Sequence, residues 1–255
     1  MRKIAAFVLT LTVFASCQSS KQETQTQTDS TGTDTPIASM ITASNQLTDE
    51  QKAEGWTLLF NGENTNGWRF FKNKENDTWE VLNGTLHCKS DSLAKKRSDI
   101  MTNDQYENFE LSFDWKVAPK SNSGVMFRVT EENERPYLSG PEYQLIDDLG
   151  YPSKLTDTQT TGSNYDMHAA PADKPVKPVG EWNNSRIVVN GNHVEHWLNG
   201  SKLLEYEIGS DDWKTRKAGS KWKNAAGYGV AKKGHIDFQD HGDEAWFRNI
   251  MVKAL

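Results

Sequence analysis

The sequence predicts an all-β fold, a sandwich of two antiparallel sheets, from three observations. Apolar residues recur at every second position: Phe109, Leu111, Phe113, Trp115 and Val117 alternate with Glu110, Ser112, Asp114 and Lys116. Short apolar runs are punctuated by Asn83-Gly84 and Asn199-Gly200, and Asn-Gly supplies the two positive φ angles of a tight hairpin turn. Strands never alternate with long amphipathic helices, which removes the parallel α/β classes and leaves a sandwich or jelly roll. There is no internal repeat and no second break in composition, so one folded domain is expected.

Taken in order, the chain opens on Arg2 and Lys3, an apolar run from Ile4 to Phe14, and Ala15-Ser16 before Cys17. A charged start, a short apolar stretch and small residues form the layout of a secretory signal, here over residues 1–16. The run is too short to span a bilayer comfortably. Phe14-Ala15-Ser16-Cys17 reads as a lipobox that makes Cys17 the lipidation site, so an exported, membrane-anchored lipoprotein, periplasmic or on the cell surface, is expected. From Cys17 to residue 46 the chain is rich in Gln, Thr, Ser and Asp. So little apolar surface cannot offset the entropy of ordering, and a tether is expected before a domain over 47–255. With Cys17 acylated no intramolecular disulfide can form, and Cys88 is read as a small buried hydrophobe.

Within the domain, Thr78–Leu82 and Thr85–Cys88 read as a hairpin. Ile187–Val189, His193–Leu198 and Lys202–Tyr206 read as a three-stranded meander. Asp211–Trp222 can hold a short helix. Ile236–Gln239 and Ala245–Val252, around His241-Gly242-Asp243, read as another hairpin. Nine Trp among 255 residues provide for one sizeable core, and a net charge of −6 argues against a nucleic-acid binder.

The chain has no phosphate-cradling glycine loop, nucleophile elbow or zinc helix. His193 and His196 lie three apart on a strand and therefore on opposite faces, which excludes a metal pair. Strand parity instead gathers polar side chains. Glu142, Gln144 and Asp148 oppose Tyr143 and Leu145; His235, Asp237, Gln239 and His241 oppose Ile236 and Phe238; Arg128 opposes Val125 and Phe127. Were these strands to share a sheet, its exposed face would suit a hydroxyl-rich ligand, although a wet polar face is also the ordinary condition of an antiparallel sheet. No metal ligand is assigned. Asp147, Asp148, Asp240 and Asp243 lie near turns and leave Ca²⁺ open, without the spacing of an EF-hand loop.

Several stretches resemble the 3-keto-disaccharide hydrolase family. They are Gly55-Trp56-Thr57-Leu58-Leu59-Phe60-Asn61-Gly62 with Gly67-Trp68, Ser123-Gly124-Val125-Met126-Phe127-Arg128, Glu142-Tyr143-Gln144, Gly180-Glu181-Trp182-Asn183, and Gln239-Asp240-His241-Gly242 with Phe247-Arg248-Asn249-Ile250. The resemblance runs through the domain in order. It implies a concanavalin-like jelly roll, an oxidised sugar or glycoside as substrate, and lyase or hydratase chemistry on sugars carrying a ketone at C3. Such a ketone acidifies the C2 proton, so a base can form an enolate that expels the C1 substituent; water then adds across the double bond. That chemistry needs a base, an acid and an oxyanion donor. Glu142, Asp148 and His241 are the candidate acids and bases. Arg128 and Arg248 are the candidate oxyanion donors, with Gln144 and Gln239 on the substrate. A non-catalytic carbohydrate-binding module on the same sandwich is the competing reading. A retaining glycosidase would place two carboxylates on one strand at a spacing absent here.

Overall fold

The computed structural model describes residues 44–255. Cys17 and most of the expected tether lie outside them. Asn45 is bonded into the fold: its amide donates to Asn249 Oδ1 (2.6 Å) and its Nδ2 donates to the Gly84 carbonyl (2.7 Å). Asn45 thus belongs to the folded domain.

Two antiparallel sheets form a jelly-roll sandwich. The larger contains β1 (Trp56–Leu58), β3 (Trp79–Leu82), β4 (Thr85–Cys88), β6 (Phe109–Val117), β9 (Asn183–Asn190), β10 (His193–Leu198), β11 (Ser201–Glu207) and β13 (Ala245–Ala254). Its order is β11-β10-β9-β6-β13-β4-β3, with β1 paired to the second half of β13. The smaller sheet has the order β2-β5-β12-β7-β8, with β2 Trp68–Phe70, β5 Ile100–Thr102, β7 Asn122–Val129, β8 Glu142–Ile146 and β12 His235–Phe238. The short α1 (Asp49–Ala53) is closed by a Thr48–Gln51 capping box, and α2 (Asp211–Gly219) is capped by Ser210.

The core follows the period of two. Phe109, Leu111, Phe113, Trp115 and Val117 face Val125, Phe127, Tyr143, Leu145, Ile236 and Phe238 across the sandwich. Ring edges meet ring faces at Phe113–Phe238 (5.8 Å) and Phe238–Phe247 (4.8 Å). Each such side chain contributes on the order of 2 kcal/mol of burial. The hairpin over β3 and β4 turns on Asn83 (φ 50°) and Gly84 (φ 74°), both in the left-handed region that their residue types predict. The meander of β9, β10 and β11 and the helix at α2 also form where expected.

The hairpin expected around His241-Gly242-Asp243 does not form. β12 pairs with β5 and β7, whereas β13 pairs with β4, β6 and β1. The segment carries the chain from one sheet to the other. Sequence periodicity fixes that both runs are strands, but it carries no information about which partners they take.

The polar face is not exposed. Its parity is right: Glu142, Gln144 and Asp237 point away from the core. A second layer, with Phe71 and Tyr137 over Met101, Met126 and Val129, covers that side. The segment Gly162–Tyr165 bonds along the free edge of β8. Glu142, Gln144 and Asp237 are therefore buried.

Candidate functional site

A small cleft of about 100 Å³ opens beside the end of β12, lined by Asp99, Arg135, Tyr137, Gln239, Asp240 and His241 among others. β12 delivers Gln239 and His241 as it leaves the sheet, and the entry to β5 delivers Asp99. Gln239 is locked in place by its own backbone: its amide donates to the Gly124 carbonyl (2.9 Å), and Ser123 Oγ donates to its carbonyl (2.9 Å). Its side-chain amide lies beside Glu142 and favours the ionised form of that carboxyl, linking the cleft wall to β8.

Glu142 lies across β7 because residue 124 has no side chain. A Cβ there would sit 2.3 Å from Glu142 Oε1. Gly124→Ala should therefore push the carboxyl aside and cut turnover by about 10²-fold, since misplacing a reacting group by roughly 1 Å costs that much. Steady-state kinetics of a folded variant with wild-type kcat would show that Glu142 needs no such position.

Burial raises four carboxyls in this region, Asp243 beside His241 and, more strongly, three others. Burial pushes Glu142 up to about 7, against the pull of the nearby Lys221 ammonium. Burial also raises Asp99 and, further still, Asp237, each beside the other. Groups displaced toward neutrality in a cleft mark a functional-site candidate. Lys221 is itself lowered by partial burial; its Nζ lies 3.9 Å from the Tyr165 ring centroid and 4.3 Å from that of Trp222. His241 lies at the cleft rim, with Nδ1 3.9 Å from Asp243.

Of the residues expected from sequence, Glu142, Gln239 and His241 come together. Four others do not join them. Arg128 has φ 53° at a register break between β7 and β12, which turns its side chain out of the parity of Met126. It donates to the carbonyls of Glu107 (2.8 Å) and Gly191 (2.7 Å) and pins loops together. Arg248 is on the other sheet, stacked 4.1 Å over Trp182 and 3.5 Å from Asp114. Asp148 follows the strand end, where it pairs with Lys174 (2.9 Å) and accepts from the Thr161 amide (2.7 Å). Gln144 shares the face of Glu142 but is sealed under the 159–163 segment, with its amide 3.4 Å from the Gln159 carbonyl. A larger cavity of about 520 Å³ lies beside Asp148, but it is lined mostly by apolar residues such as Trp115, Ile146, Val176 and Val179. Asp147, Asp148, Lys177 and Glu181 also line it, but Asp147 is held by backbone amides and Asp148 by Lys174 and the Thr161 amide, and the smaller cleft is the better candidate.

Sequence reasoning missed Asp99, Lys221, Arg135 and Tyr137, which come from turns without periodicity. Asp237 did carry a signal, as an acid between Ile236 and Phe238.

The turn aspartates are each taken by separate donors: Asp147 by the amides of Lys120 and Gly150, Asp148 by Lys174, Asp240 by Arg97 and Thr78, and Asp243 by the Asn122 amide. Among the described residues, the group with ligand atoms close enough for a shared cation is His193, Glu195 and Glu205. It lies at the protein surface, where Lys202 already pairs with both glutamates. His196 faces the opposite way, buried, with its ring against the Gly162 carbonyl (2.9 Å).

Residues 55–253 match the family model described as a 3-keto-alpha-glucoside-1,2-lyase-like domain. A protein of Bacteroides thetaiotaomicron named 3-keto-disaccharide hydrolase is 32% identical over 232 residues, covering 80% of this chain and 79% of its own. Two crystal structures from Parabacteroides distasonis, both named as candidate glycosyl hydrolases, are also similar. One is 42% identical with a TM-score of 0.76, over 83% of this chain and 99% of its own. The other is 30% identical with a TM-score of 0.61, over 78% and 99%. With the match extending through both sheets and across the cleft, the chain belongs to the 3-keto-alpha-glucoside-1,2-lyase-like family.

Proposed function

We propose that the domain is a carbohydrate-active enzyme that cleaves glycosides already oxidised at C3, by elimination, by hydration of the resulting 3-keto-2-hydroxy-glucal, or by both in turn. The observation that carries this reading is that Asp99, Gln239 and His241 line one cleft, with the buried carboxyls of Glu142 and Asp237 behind its wall. A base that works near neutral pH must hold its proton about as tightly as water at that pH allows, and Glu142 at about 7 meets that condition. Glu142 takes the C2 proton. The side-chain amide of Gln239 orients Glu142, and Lys221 and Arg135 supply positive charge for the oxygen on which the enolate charge develops. Tyr137, on the cleft wall, offers its ring to a pyranose. The names of the relatives support a glycoside substrate.

In this reading the domain works outside the cytoplasm, held at a membrane through Cys17.

The test is incubation with a 3-keto-glucoside and with the matching unoxidised glucoside, products followed by mass spectrometry. Only the oxidised sugar should be consumed, and His241→Ala should lower its turnover by about 10²-fold or more with an unchanged melting temperature. Binding of sugar without turnover of any 3-keto compound would instead make the domain a carbohydrate-binding module.

A further inference from the structure

Asp237 is a carboxylic acid with nowhere to place a negative charge. It sits inside β12, fully buried, paired across the sheet with Met101 on β5 and Met126 on β7. Neither carboxyl oxygen receives a hydrogen bond from any N–H or O–H donor among the described residues. An unpaired buried carboxylate is so costly that the group keeps its proton instead. Beside it is another acid, Asp99, which precedes β5 by one residue and falls on the same face as Met101, the cross-strand partner of Asp237. Two carboxyl groups can bond only if one donates, and the sealed Asp237 is the donor.

Asp99 occupies the opposite position. It lines the cleft and retains some solvent contact. Its Oδ1 accepts from the Asp240 amide at 3.0 Å. Asp240 is itself held by the Arg97 guanidinium and the Thr78 hydroxyl. The charged groups around the pair are Asp240, Arg135 and Glu142, with Lys74 and Arg97 also on the cleft wall, Lys221 beyond Glu142 and His241 at the rim. Asp99 thus has the Asp240 amide and the Asp237 carboxyl behind it and the cleft in front.

We propose that Asp99 is a second catalytic carboxyl of the cleft, working with Glu142, and that a protonated Asp237 positions it from behind. This rests on the C3-ketone reading above. In elimination, ionised Glu142 takes the C2 proton and the C–H electron pair passes into the enolate. Collapse of the enolate restores the ketone, forms the C1–C2 double bond and breaks the bond from C1 to the leaving oxygen. That oxygen keeps the electron pair and takes its proton from Asp99. In hydration, Asp99 takes a proton from water as the water oxygen bonds C1, and Glu142 returns its proton to C2. Both carboxyls end as they began, and Asp237 keeps its proton throughout.

Three variants separate the roles. Asp99→Asn should lose turnover by about 10²-fold or more. Asp237→Asn still donates to Asp99 and should stay within several-fold of wild type with an unchanged pH profile. Asp237→Leu cannot donate, and the basic limb of its kcat profile for elimination should move up by about one pH unit, because Asp99, the acid of that step, loses a bond that favours its ionised form. Independently of substrate, infrared titration should show a protonated-carboxyl stretch that persists in mildly alkaline buffer, after Glu142 has ionised, and that vanishes in Asp237→Asn. That measurement decides the state of Asp237 even if the leucine variant fails to fold. It also stands if no 3-keto sugar is turned over, a result that would remove the proposed function instead. Wild-type turnover in Asp99→Asn, or absence of the stretch, overturns the proposal. So does wild-type activity that is lost on chelation and restored by a divalent cation, together with an inactive Asp237→Asn, since the two acids would then be ionised and share the cation.

Discussion

Glu142→Gln should abolish turnover of a 3-keto-glucoside and at the same time make the domain more stable at neutral pH. The rate effect is that of removing a general base, about 10² to 10⁴-fold. The stability effect follows from burial. Glu142 titrates at about 7 in the folded chain against 4.5 for an ordinary glutamate. Below 4.5 the group is protonated in both folded and unfolded chains and contributes no difference. Between 4.5 and about 7 the unfolded chain releases the proton while the folded one holds it, so stability falls as pH rises through that window. By neutral pH the loss approaches about 3 kcal/mol. Glutamine carries no charge and escapes it, so its melting temperature should exceed that of wild type by roughly 6 to 12 °C at neutral pH. The gain should disappear in acid. Thermal melts in the two buffers decide the matter: an equal difference at both pH values would mean that Glu142 is not held neutral by burial.

Arg128→Met should have the reverse profile, with a large loss of stability and little direct effect on catalysis. The guanidinium is enclosed in the fold and spans from the Glu107 carbonyl to the Gly191 carbonyl, at 2.8 and 2.7 Å through Nη2. Burial lowers the pKa of this arginine, against the opposing pull of the nearby Glu107 carboxylate. Methionine fills much of the same space but leaves both carbonyls unpaired, at about 1–3 kcal/mol each. A loss of about 3 kcal/mol, or roughly 6 to 12 °C in melting temperature, is expected. At a temperature where the variant remains folded, kcat and KM should stay within several-fold of wild type. A 100-fold loss of kcat with an unchanged melting temperature would put Arg128 on the substrate and sink the structural role.

Periodicity carried far in this protein because a β-sandwich core is written locally. Alternation along Phe109–Val117 determines which side chains enter the core, and Asn83-Gly84 determines a turn through backbone sterics alone. The same alternation placed Glu142, Gln144 and Asp237 on the face away from Tyr143, Leu145 and Phe238. What alternation cannot see is what lies over that face. The covering layer comes from Phe71, Tyr137 and the Gly162–Tyr165 segment, distant in sequence, and it converts an expected wet surface into a buried one. Burial, in turn, is what raises the proton affinity of Glu142 and Asp237, so their chemistry was decided by packing.

Arg128 shows the limit from another side. One left-handed residue at a register break reverses parity, and nothing in Met126-Phe127-Arg128-Val129 announces that break. The partner strands of β12 and β13 were hidden for the same reason, since a strand's sequence states its two faces and not its neighbours. The sequence by itself determined the fold class, the core face of most strands and three members of the candidate site. Tertiary structure decided that Asp99 meets Asp237, that Gly124 makes room for Glu142, and that Arg128, Arg248 and Asp148 serve elsewhere, because each depends on contacts between segments far apart in the chain.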